Sequence, residues 1–451
     1  MTTWRRAFTA LCLAASFGGC STVHYTVNAP LTETRPDARY AIRNLASPNN
    51  SDSLIVMVAF SGGGYRAAAL ALAAMELLRD TPIVWDGQQR RLLDEVDFIS
   101  SVSGGSLAAA WFALHREAFF DTFEAQVLAL DLQSALTARI LSPPGLWRQT
   151  SARYGRSDLL QEVLDERLFH GARFKDLPRQ RPMVFINATD IRYGERFEFT
   201  QDQFDPLCSD LAPFPLSRAV AASMAVPLLF SPVTLWNHRE ACRVLAPNMP
   251  LESQAARSRY VHLADGGLAD NTGLSGALEI IRARGGLVGS ANAAGFSGVR
   301  KRVFIVVNAQ VKPDQVDDES ADTPGLLRQV LSVVDVPIDR HAQASLRALE
   351  NATRQWSREL QAMTQPSSRG ALLRDTGFHV VELSLMNAPA GADKDRLKQI
   401  PTALRVGPDD VAALRRFVRQ TVQTDPQWQR LLQALQPPAP ISAPTTGSAE
   451  D

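Results

Sequence analysis

Residues 54–61 read LIVMVAFS, an almost unbroken apolar run of strand length, and three glycines follow at positions 62–64. Residues 67–78 are rich in alanine and leucine, which favour helices. The order therefore predicts a strand, a glycine loop and a helix. Because the strand is apolar on both faces, it is typical of a parallel sheet buried between helices.

The same order recurs at residues 96–115. A short strand is predicted at 96–103, Gly104-Gly105 form a turn, and a helical pattern follows. Strands that alternate with helical patterns imply an α/β fold with a central, largely parallel sheet. Further strands are predicted at residues 183–188, 196–199, 260–264 and 303–307, and a last amphipathic helix at 408–423.

The composition is that of a soluble globular protein, with 451 residues of which 45% are hydrophobic and 21% charged. Lys and Arg together number 47, and Asp and Glu also number 47. Because no positive excess is available for phosphate contacts, we expect no nucleic-acid partner. We expect one large domain over 54–436, with peripheral excursions at 284–300 and, helical in pattern, around 313–370. Residues 437–451 are rich in Pro, Ala, Ser and Thr and predict a disordered tail.

The first twenty residues have the pattern of an export signal. Arg5 and Arg6 precede a mostly apolar stretch at 7–17, and Gly18-Gly19-Cys20 follows. As a helix this stretch spans only about 16 Å, too short for a hydrocarbon core of about 30 Å, so we predict a cleaved signal peptide over 1–19. Two small residues before a cysteine resemble the lipobox of bacterial lipoproteins, in which the cysteine is acylated, although leucine is more usual than phenylalanine at position 17. An ordinary signal with an incidental cysteine is the alternative.

Acylation of Cys20 would attach the chain durably to a membrane, because several acyl chains act together. Ser21 is not an acidic retention signal, so the resemblance to bacterial lipoproteins implies the outer membrane of the cell envelope. Residues 20–53 are polar and rich in Pro and Asn, and we expect a flexible tether. Cys208 and Cys242 either pair in a disulfide or stay as separate thiols.

Ser103 is the first candidate for chemistry. It lies in the stretch SVSGG at 101–105, between a predicted strand and a predicted helix. A serine at such a sharp turn is exposed at the strand end, and small neighbours let the turn close, as in a nucleophile elbow. The usual form is G-x-S-x-G, and Ser101 occupies the first glycine position. Taken alone, the stretch is better explained as an ordinary Ser/Gly turn.

The glycine loop and Asp265 are the other candidates. Backbone amides of Gly62, Gly63 and Gly64 could face a developing oxyanion without interference from side chains. A phosphate-binding loop looks similar, but no Lys-Ser/Thr pair and no later glycine completes such a motif. Asp265 ends an apolar strand, where desolvation would raise its pKa and make it a better base. A residue of an Asx-type turn is its alternative role.

Together these motifs resemble those of the patatin-like phospholipases. The run Gly62-Gly63-Gly64-x-Arg66, the serine elbow and Asp265-Gly266-Gly267 occur in the order of that family. Two further stretches agree, NATD at 187–190 with FEF at 197–199, and AVAASMAVP at 219–227. The resemblance extends from about residue 54 to about residue 278. It departs from the family at Ser61, where Asp is frequent, and at Ser101.

The resemblance implies a three-layer α/β sandwich with a nucleophile elbow, and a Ser103–Asp265 catalytic dyad without histidine. The implied oxyanion hole and supporting positions are Gly62, Gly63 and Gly64, with Arg66, Gly105 and Gly267 beside them. The implied activity is a serine lipid acyl hydrolase of the phospholipase or lysophospholipase type. Such an enzyme acts through an acyl-enzyme on phospholipids or other lipid esters at a membrane surface, and it requires no metal or organic cofactor.

Two other classes of function remain open. One is a non-catalytic envelope lipoprotein that binds lipid or a partner on a hydrolase scaffold. The other is a carboxylesterase with a histidine base, because His341 and His379 follow Ser103 and Asp265 in the order of a Ser-Asp-His triad. His262 precedes Asp265 by three residues on one strand, so its side chain is expected on the opposite face.

Overall fold

The protein is described from a computed structural model. The described residues are 21–33, 39–239, 258–283, 290–291, 293–296, 298–311, 325–363, 377–388 and 392–436. The predicted signal peptide, Cys20, Cys242 and the predicted tail at 437–451 lie outside these residues.

The structure has strands at the apolar runs of the sequence at 54–60, 183–190, 260–265 and 301–308. The strands are β1 (Ala29–Pro30), β2 (Leu54–Phe60), β3 (Pro82–Trp85), β4 (Gln88–Arg91), β5 (Val96–Val102), β6 (Met183–Asp190), β7 (Glu195–Glu198), β8 (Ser209–Asp210), β9 (Val233–Trp236), β10 (Tyr260–Asp265), β11 (Lys301–Asn308) and β12 (Gly377–Ser384). The α-helices are α1 (Gly64–Asp80), α2 (Gly104–His115), α3 (Phe119–Thr122), α4 (Leu132–Leu141), α5 (Pro143–Arg148), α6 (Arg156–Leu164), α7 (Gln201–Phe204), α8 (Leu216–Ser223), α9 (Gly267–Asp270), α10 (Ser275–Ala283), α11 (Leu326–Met363), α12 (Ala392–Gln399), α13 (Pro408–Thr424) and α14 (Pro426–Ala434).

The central sheet of the described residues runs in the order β12-β11-β2-β5-β6-β10-β9, with β7 paired to β6. The strands from β12 to β6 are mutually parallel. The direction reverses at β10, which is antiparallel to both β6 and β9, and at β7, which is antiparallel to β6. The predicted α/β class with a central, largely parallel sheet is therefore confirmed.

Helices cover both faces of this sheet. On one face α1, α2 and α13 bury the apolar side chains of β2, and the core includes Val58, Leu70 and Phe417. On the other face α10 and α11 pack on β2 and β11, burying Leu278 and Trp356. Burial of apolar side chains on both faces is what stabilises a parallel sheet.

Helix α11 differs from the peripheral excursion that we expected around 313–370. Its residues Leu349, Ala352 and Trp356 are buried against Met57 and Phe304 of the sheet. These helix residues recur at spacings of three and four, so one stripe of the helix faces the sheet. The helix therefore forms part of the second layer.

The residues that we expected to be a tether also differ from expectation, because 21–33 and 39–53 lie against the domain. Asn28 is buried, and its side chain donates to Ser209 Oγ at 2.8 Å and accepts from the Trp236 amide at 2.7 Å. Strand β1 pairs with β8. Polar composition predicted flexibility, but these polar groups are satisfied by specific partners on the domain.

The register of the sheet brings several strand ends to one level. Phe60 of β2 is paired with Ser101 of β5, and Val102 with Asn187 of β6. Asp265, the last residue of β10, is paired with Ala188. The turns that follow β2, β5 and β10 therefore meet side by side.

None of the helices in the described part of the chain is long and apolar enough to cross a membrane.

Candidate active site

Ser103 occupies a strained turn between β5 and α2. Its φ is 52° and its ψ is −122°, a conformation that non-glycine residues rarely adopt. The turn is held because the Ser103 amide donates to Ser223 Oγ at 2.8 Å. It is also closely packed, since a Cβ on Gly104 would lie 1.9 Å from the Gly64 carbonyl oxygen. The side chain of Ser103 is thus fixed at the end of the sheet.

Asp265 is held by hydrogen bonds of its backbone and of one of its two carboxylate oxygens. Its amide donates to the Ala225 carbonyl at 2.9 Å, and its carbonyl accepts from Thr189 Oγ1 at 2.8 Å. The Gly267 amide donates to Oδ1 at 2.8 Å. Oδ2 is buried and has no hydrogen-bond partner among the described residues. One oxygen is therefore committed to structure, and the other is left for chemistry.

Burial raises the pKa of Asp265 to about 6, although the hydrogen bond from the Gly267 amide and the nearby Ser103 hydroxyl each lower it. The Ser103 hydroxyl is close enough to stabilise the Asp265 carboxylate. It does not, however, donate a well-aligned hydrogen bond to Oδ2. Catalytic hydrogen bonds are often long in a free enzyme and tighten with substrate. A carboxylate with a pKa near 6 is a much better proton acceptor than an exposed aspartate, and it is still ionised at neutral pH.

Ser223 connects the elbow to the strand that carries the acid, and the sequence alone did not single it out. Its hydroxyl accepts from the Ser103 amide and donates to the Asn187 carbonyl at 2.5 Å. Its carbonyl accepts from the Gly266 amide at 3.2 Å. Both stretches that agree with the family pattern, 187–190 and 219–227, thus turn out to line this junction.

The three glycines of the loop are not equivalent. The Gly62 amide donates to the Asn271 carbonyl at 3.1 Å, whereas the Gly63 and Gly64 amides have no acceptor among the described residues. A Cβ on Gly62 would lie 2.3 Å from Asn271 Oδ1 and 3.2 Å from Ser103 Cβ. The free amides of Gly63 and Gly64, at the positive end of α1, are therefore the available oxyanion donors of this loop.

Asn271 is a second residue that the sequence did not reveal. Its carbonyl accepts from the Gly62 amide, and its side chain lies between Gly62 and Gly267, beside the Asp265 carboxylate. A lone Asn six residues after the acid carries no recognisable pattern, so only the fold could identify it.

Arg66 supports the glycine loop. It is buried, and it donates to the Ile400 carbonyl at 2.6 Å and to Thr402 Oγ1 at 3.1 Å. Burial lowers the pKa of Arg66 to about 10. The residues after Ile400 lie over the loop, since the Tyr65 amide donates to the Ala403 carbonyl at 2.8 Å. Arg66 thus fixes a segment that covers Gly64.

The remaining predicted positions pack around this site. A Cβ on Gly105 would lie 2.7 Å from the Ser61 carbonyl oxygen, and Gly267 supplies the amide that Asp265 Oδ1 accepts. Ser61 Oγ accepts from the Ala309 amide at 2.8 Å and so ties the loop to β11. Ser101 Oγ donates to the Phe185 carbonyl at 2.8 Å. Both departures from the family pattern are therefore accommodated by hydrogen bonds.

The histidines lie in different places. His379 is near the start of β12, and its Cα partner Val303 is paired with Val56, so it lies toward the opposite end of the sheet from Ser103. His262 of β10 is paired with Thr234 of β9, and its Nδ1 is 3.0 Å from Thr234 Oγ1. Only His341 approaches the site, with Nδ1 2.9 Å from the Leu268 carbonyl. Among the described residues no cluster of His, Cys, Asp or Glu could hold a metal ion.

A serine at a strained elbow, a buried carboxylate with a free oxygen and two unpaired amides together form an arrangement suited to nucleophilic catalysis. Residues 58–278 match the family model described as Patatin-like phospholipase. We therefore assign this part of the chain to the patatin-like phospholipase family. No curated protein sequence matches the chain.

Solved structures show distant similarity. Human GIVD cytosolic phospholipase A2 aligns with 85% of this chain and 60% of its own, at 12% identity and a TM-score of 0.43. VipD from Legionella pneumophila aligns with 93% of this chain and 73% of its own, at 11% identity and a TM-score of 0.32. The chain thus spans about 60% of the length of the human enzyme.

The buried state of Asp265 predicts that Asp265→Asn stabilises the protein above pH 6. Because the folded pKa lies above the ordinary value of 3.8, the native state favours the neutral carboxyl. In the wild type, the contribution of the neutral carboxyl to the free energy of unfolding is complete below about pH 4 and is lost as the pH rises through 6. The asparagine side chain stays neutral at every pH. The free energy of unfolding of Asp265→Asn should therefore exceed that of the wild type by about 2–3 kcal/mol at pH 8.

Urea denaturation at pH 4 and pH 8 measures this difference, which should vanish at the lower pH. Asp409→Asn, at a carboxylate whose side chain is 85% exposed, serves as the control and should show no such gain. Equal stability of wild type and Asp265→Asn at both pH values would contradict the desolvated state of this carboxyl.

Proposed function

We propose that this protein is a serine lipid ester hydrolase in which Ser103 is the nucleophile and Asp265 the general base. One observation carries the proposal: the strained elbow serine and the free oxygen of a buried carboxylate adjoin each other at one sheet end. Assignment of residues 58–278 to the patatin-like phospholipase family supports a lipid ester as the substrate class. Within that class, the proposed subtype is a phospholipase A or lysophospholipase.

In the first half of the reaction, Asp265 Oδ2 accepts the Ser103 hydroxyl proton as Oγ attacks the ester carbonyl carbon. The oxyanion that forms accepts hydrogen bonds from the Gly63 and Gly64 amides. As the carbon–oxygen bond to the alcohol breaks, the proton on Asp265 passes to the leaving alkoxide. The products of this half are the free alcohol, such as a lysolipid, and an acyl ester on Ser103.

In the second half, Asp265 accepts a proton from water, whose oxygen attacks the acyl carbonyl. The same amides hold the second oxyanion. When it collapses, the proton passes from Asp265 to Ser103 Oγ, and the fatty acid leaves. Burial assists both halves, since Ser103 is 7% exposed and Asp265 is 3% exposed, and electrostatic stabilisation is stronger where water is excluded.

A histidine-dependent esterase is the second candidate, favoured only by the approach of His341 to Leu268. Its hydrogen bond to a backbone carbonyl fixes the ring at α11, without a carboxylate partner among the described residues. We therefore assign the base to Asp265.

A fluorophosphonate probe should label the wild-type protein and fail to label Ser103→Ala, because only an activated serine displaces the fluoride. Gel fluorescence or intact mass measures the label. Ser357→Ala, at a serine on α11 away from the site, is the matched control and should label normally.

Asp265→Asn should lose ester turnover by a factor of at least about 10³, whereas His341→Gln should retain it.

Absence of labelling in folded wild-type protein would favour the non-catalytic lipid-binding lipoprotein. Loss of turnover in His341→Gln, with turnover kept in Asp265→Asn, would instead assign the base to histidine.

The pH dependence should show one acid limb. Because the active base is the ionised form and its pKa is about 6, kcat/KM for a soluble short-chain ester should fall about tenfold per pH unit below pH 6. Stopped initial-rate assays between pH 4.5 and 8 measure the pH dependence of kcat/KM. The buffers are chosen to keep the ionic strength about constant. A rate that is flat down to about pH 5 would contradict a desolvated carboxylate base.

We further propose that the chain is exported, cleaved before Cys20 and acylated there, and that it works in the bacterial envelope at the outer membrane. The lipobox-like Gly18-Gly19-Cys20 supports this proposal. Cells fed labelled palmitate should incorporate label into the wild type and not into Cys20→Ala, as read by autoradiography of the purified protein. Ser21→Ala is the control. Label retained in Cys20→Ala would refute acylation at this residue.

A further inference from the structure

Exposed apolar side chains cluster on α5 and on the loop after α8. Four of the ten large apolar side chains that are exposed among the described residues lie on these two segments, and a fifth, Leu141, ends α4 two residues before α5 begins. They are Leu141 (63% exposed), Leu146 (53%), Trp147 (52%), Leu228 (57%) and Leu229 (52%), and we call them the apolar face. Scattered exposed leucines need no explanation, but a cluster that includes an exposed tryptophan marks an interaction surface.

Helix α6 holds the two segments together. At its first residue, Arg156 Nη1 donates to the Leu229 carbonyl at 3.1 Å. At its second, the Ser157 amide donates to Ser231 Oγ at 3.2 Å. The end of α5 is bound to the same helix, since Arg148 Nη1 donates to Glu162 at 2.8 Å. The apolar face is therefore fixed by the fold.

The loop of the apolar face also reaches the proposed catalytic base. The Ala225 carbonyl that accepts from the Asp265 amide lies three residues before Leu228. Leu228 itself has a φ of 74°, which costs energy in a non-glycine residue and is frequent at functional sites. A surface that contacts Leu228 and Leu229 thus lies beside the catalytic segment.

The first described residues of the chain lie at the same place. The Ser21 amide donates to Thr150 Oγ1 at 2.9 Å, and Thr150 Oγ1 donates to the Trp147 carbonyl at 2.7 Å. Ser151 Oγ donates to the Val23 carbonyl at 2.7 Å. Ser21, which follows the proposed acylation site Cys20 in the sequence, therefore lies beside the exposed Trp147.

Two arginines accompany the apolar side chains. Arg153 and Arg156 are exposed, and neither forms an ion pair with any residue that the structure describes. Tryptophan beside arginines that have no acidic partner is the composition of surfaces that lie at a bilayer interface, where the ring lies at headgroup level and the cations meet anionic lipids.

We propose that the apolar face docks on the lipid bilayer, so that the acyl anchor on Cys20 and the side chains of α5 and the 228–229 loop enter one leaflet together. The anchor alone would hold the protein near the membrane in any orientation, whereas the apolar face orients the catalytic segment toward it. This inference rests on the proposed function for its purpose, but docking itself requires no turnover.

Fluorescence quenching tests the orientation directly. The mature protein, isolated from the envelope in a Ser103→Ala background, is bound to vesicles of phosphatidylethanolamine and phosphatidylglycerol doped with phosphatidylcholine brominated on its acyl chains. Among the described tryptophans only Trp147 is exposed, the others being buried or half-buried. We expect the brominated lipid to quench part of the emission, and we expect this part to be lost in Trp147→Phe, which keeps the ring apolar.

Quenching that is the same in Trp147→Phe would overturn the proposal. So would size-exclusion data in which Leu146→Gln dissociates an oligomer while quenching is unchanged, because the apolar face would then be covered by a second copy. Quenching through Trp147 in a protein that does not hydrolyse any ester would leave docking intact and refute the proposed function instead.

An activity ratio provides the second measurement. In Leu146→Gln, hydrolysis of bilayer phospholipid relative to a soluble short-chain ester should fall about tenfold, since a leucine that enters the bilayer is lost. Ile280→Gln, at a partly exposed residue of α10 on the other face of the sheet, is the matched control. An unchanged ratio in Leu146→Gln, or an equal fall in Ile280→Gln, would contradict the proposal.

The arginines are tested with the lipid charge. The double variant Arg153→Gln/Arg156→Gln should lose the rise in bilayer hydrolysis that phosphatidylglycerol causes in the wild type. The control Arg354→Gln/Arg358→Gln, at exposed residues of α11, should keep it. Equal dependence on phosphatidylglycerol in both doubles would remove the arginines from the docking surface.

Discussion

The lateral register of the sheet is the constraint on which the site depends. Backbone pairing sets Phe60 beside Ser101, Val102 beside Asn187 and Ala188 beside Asp265. The turns that follow β2, β5 and β10 therefore meet, although the residues come from distant parts of the chain. A slip of one residue would turn each side chain to the other face of the sheet, so the meeting of hydroxyl, carboxylate and free amides requires this pairing.

Strain and desolvation give these groups their chemical character. The unusual backbone of Ser103 is maintained by the Ser223 hydroxyl and by the contact of Gly104 with Gly64. The carboxylate of Asp265 is buried, and among the described residues it accepts one backbone hydrogen bond. Both features cost folding free energy, which the apolar layers on the two faces of the sheet offset.

Much of this arrangement could be predicted from the sequence, because glycines and apolar runs are local signals. The strand, glycine loop and helix at 54–78, the elbow at Ser103 and the acid at the end of a strand are examples. The strand direction at β10 could not be predicted, since pairing with β6 and β9 depends on distant residues. Asn271 and Ser223 were missed for the same reason, as each acts through a contact that no spacing encodes.

Composition was misleading in two segments. Residues 21–33 are polar and read as a tether, yet Asn28 and its neighbours find partners on the domain. The charged stretch that contains α11 read as peripheral, yet one stripe of it is buried on the sheet. In both cases the mean polarity of a segment concealed the few residues that make its contacts. The packed N-terminal segment also places Ser21 beside α5, through the hydrogen bond of its amide to Thr150 Oγ1.

The most direct measurement of the central claim is a crystal structure of the protein with an alkyl fluorophosphonate. We expect a phosphorus atom bonded to Ser103 Oγ, with one phosphonyl oxygen at about 2.7–3.1 Å from the Gly63 and Gly64 amides and with Asp265 Oδ2 beside Oγ. An adduct on another residue would contradict it, as would a phosphonyl oxygen that points away from both amides.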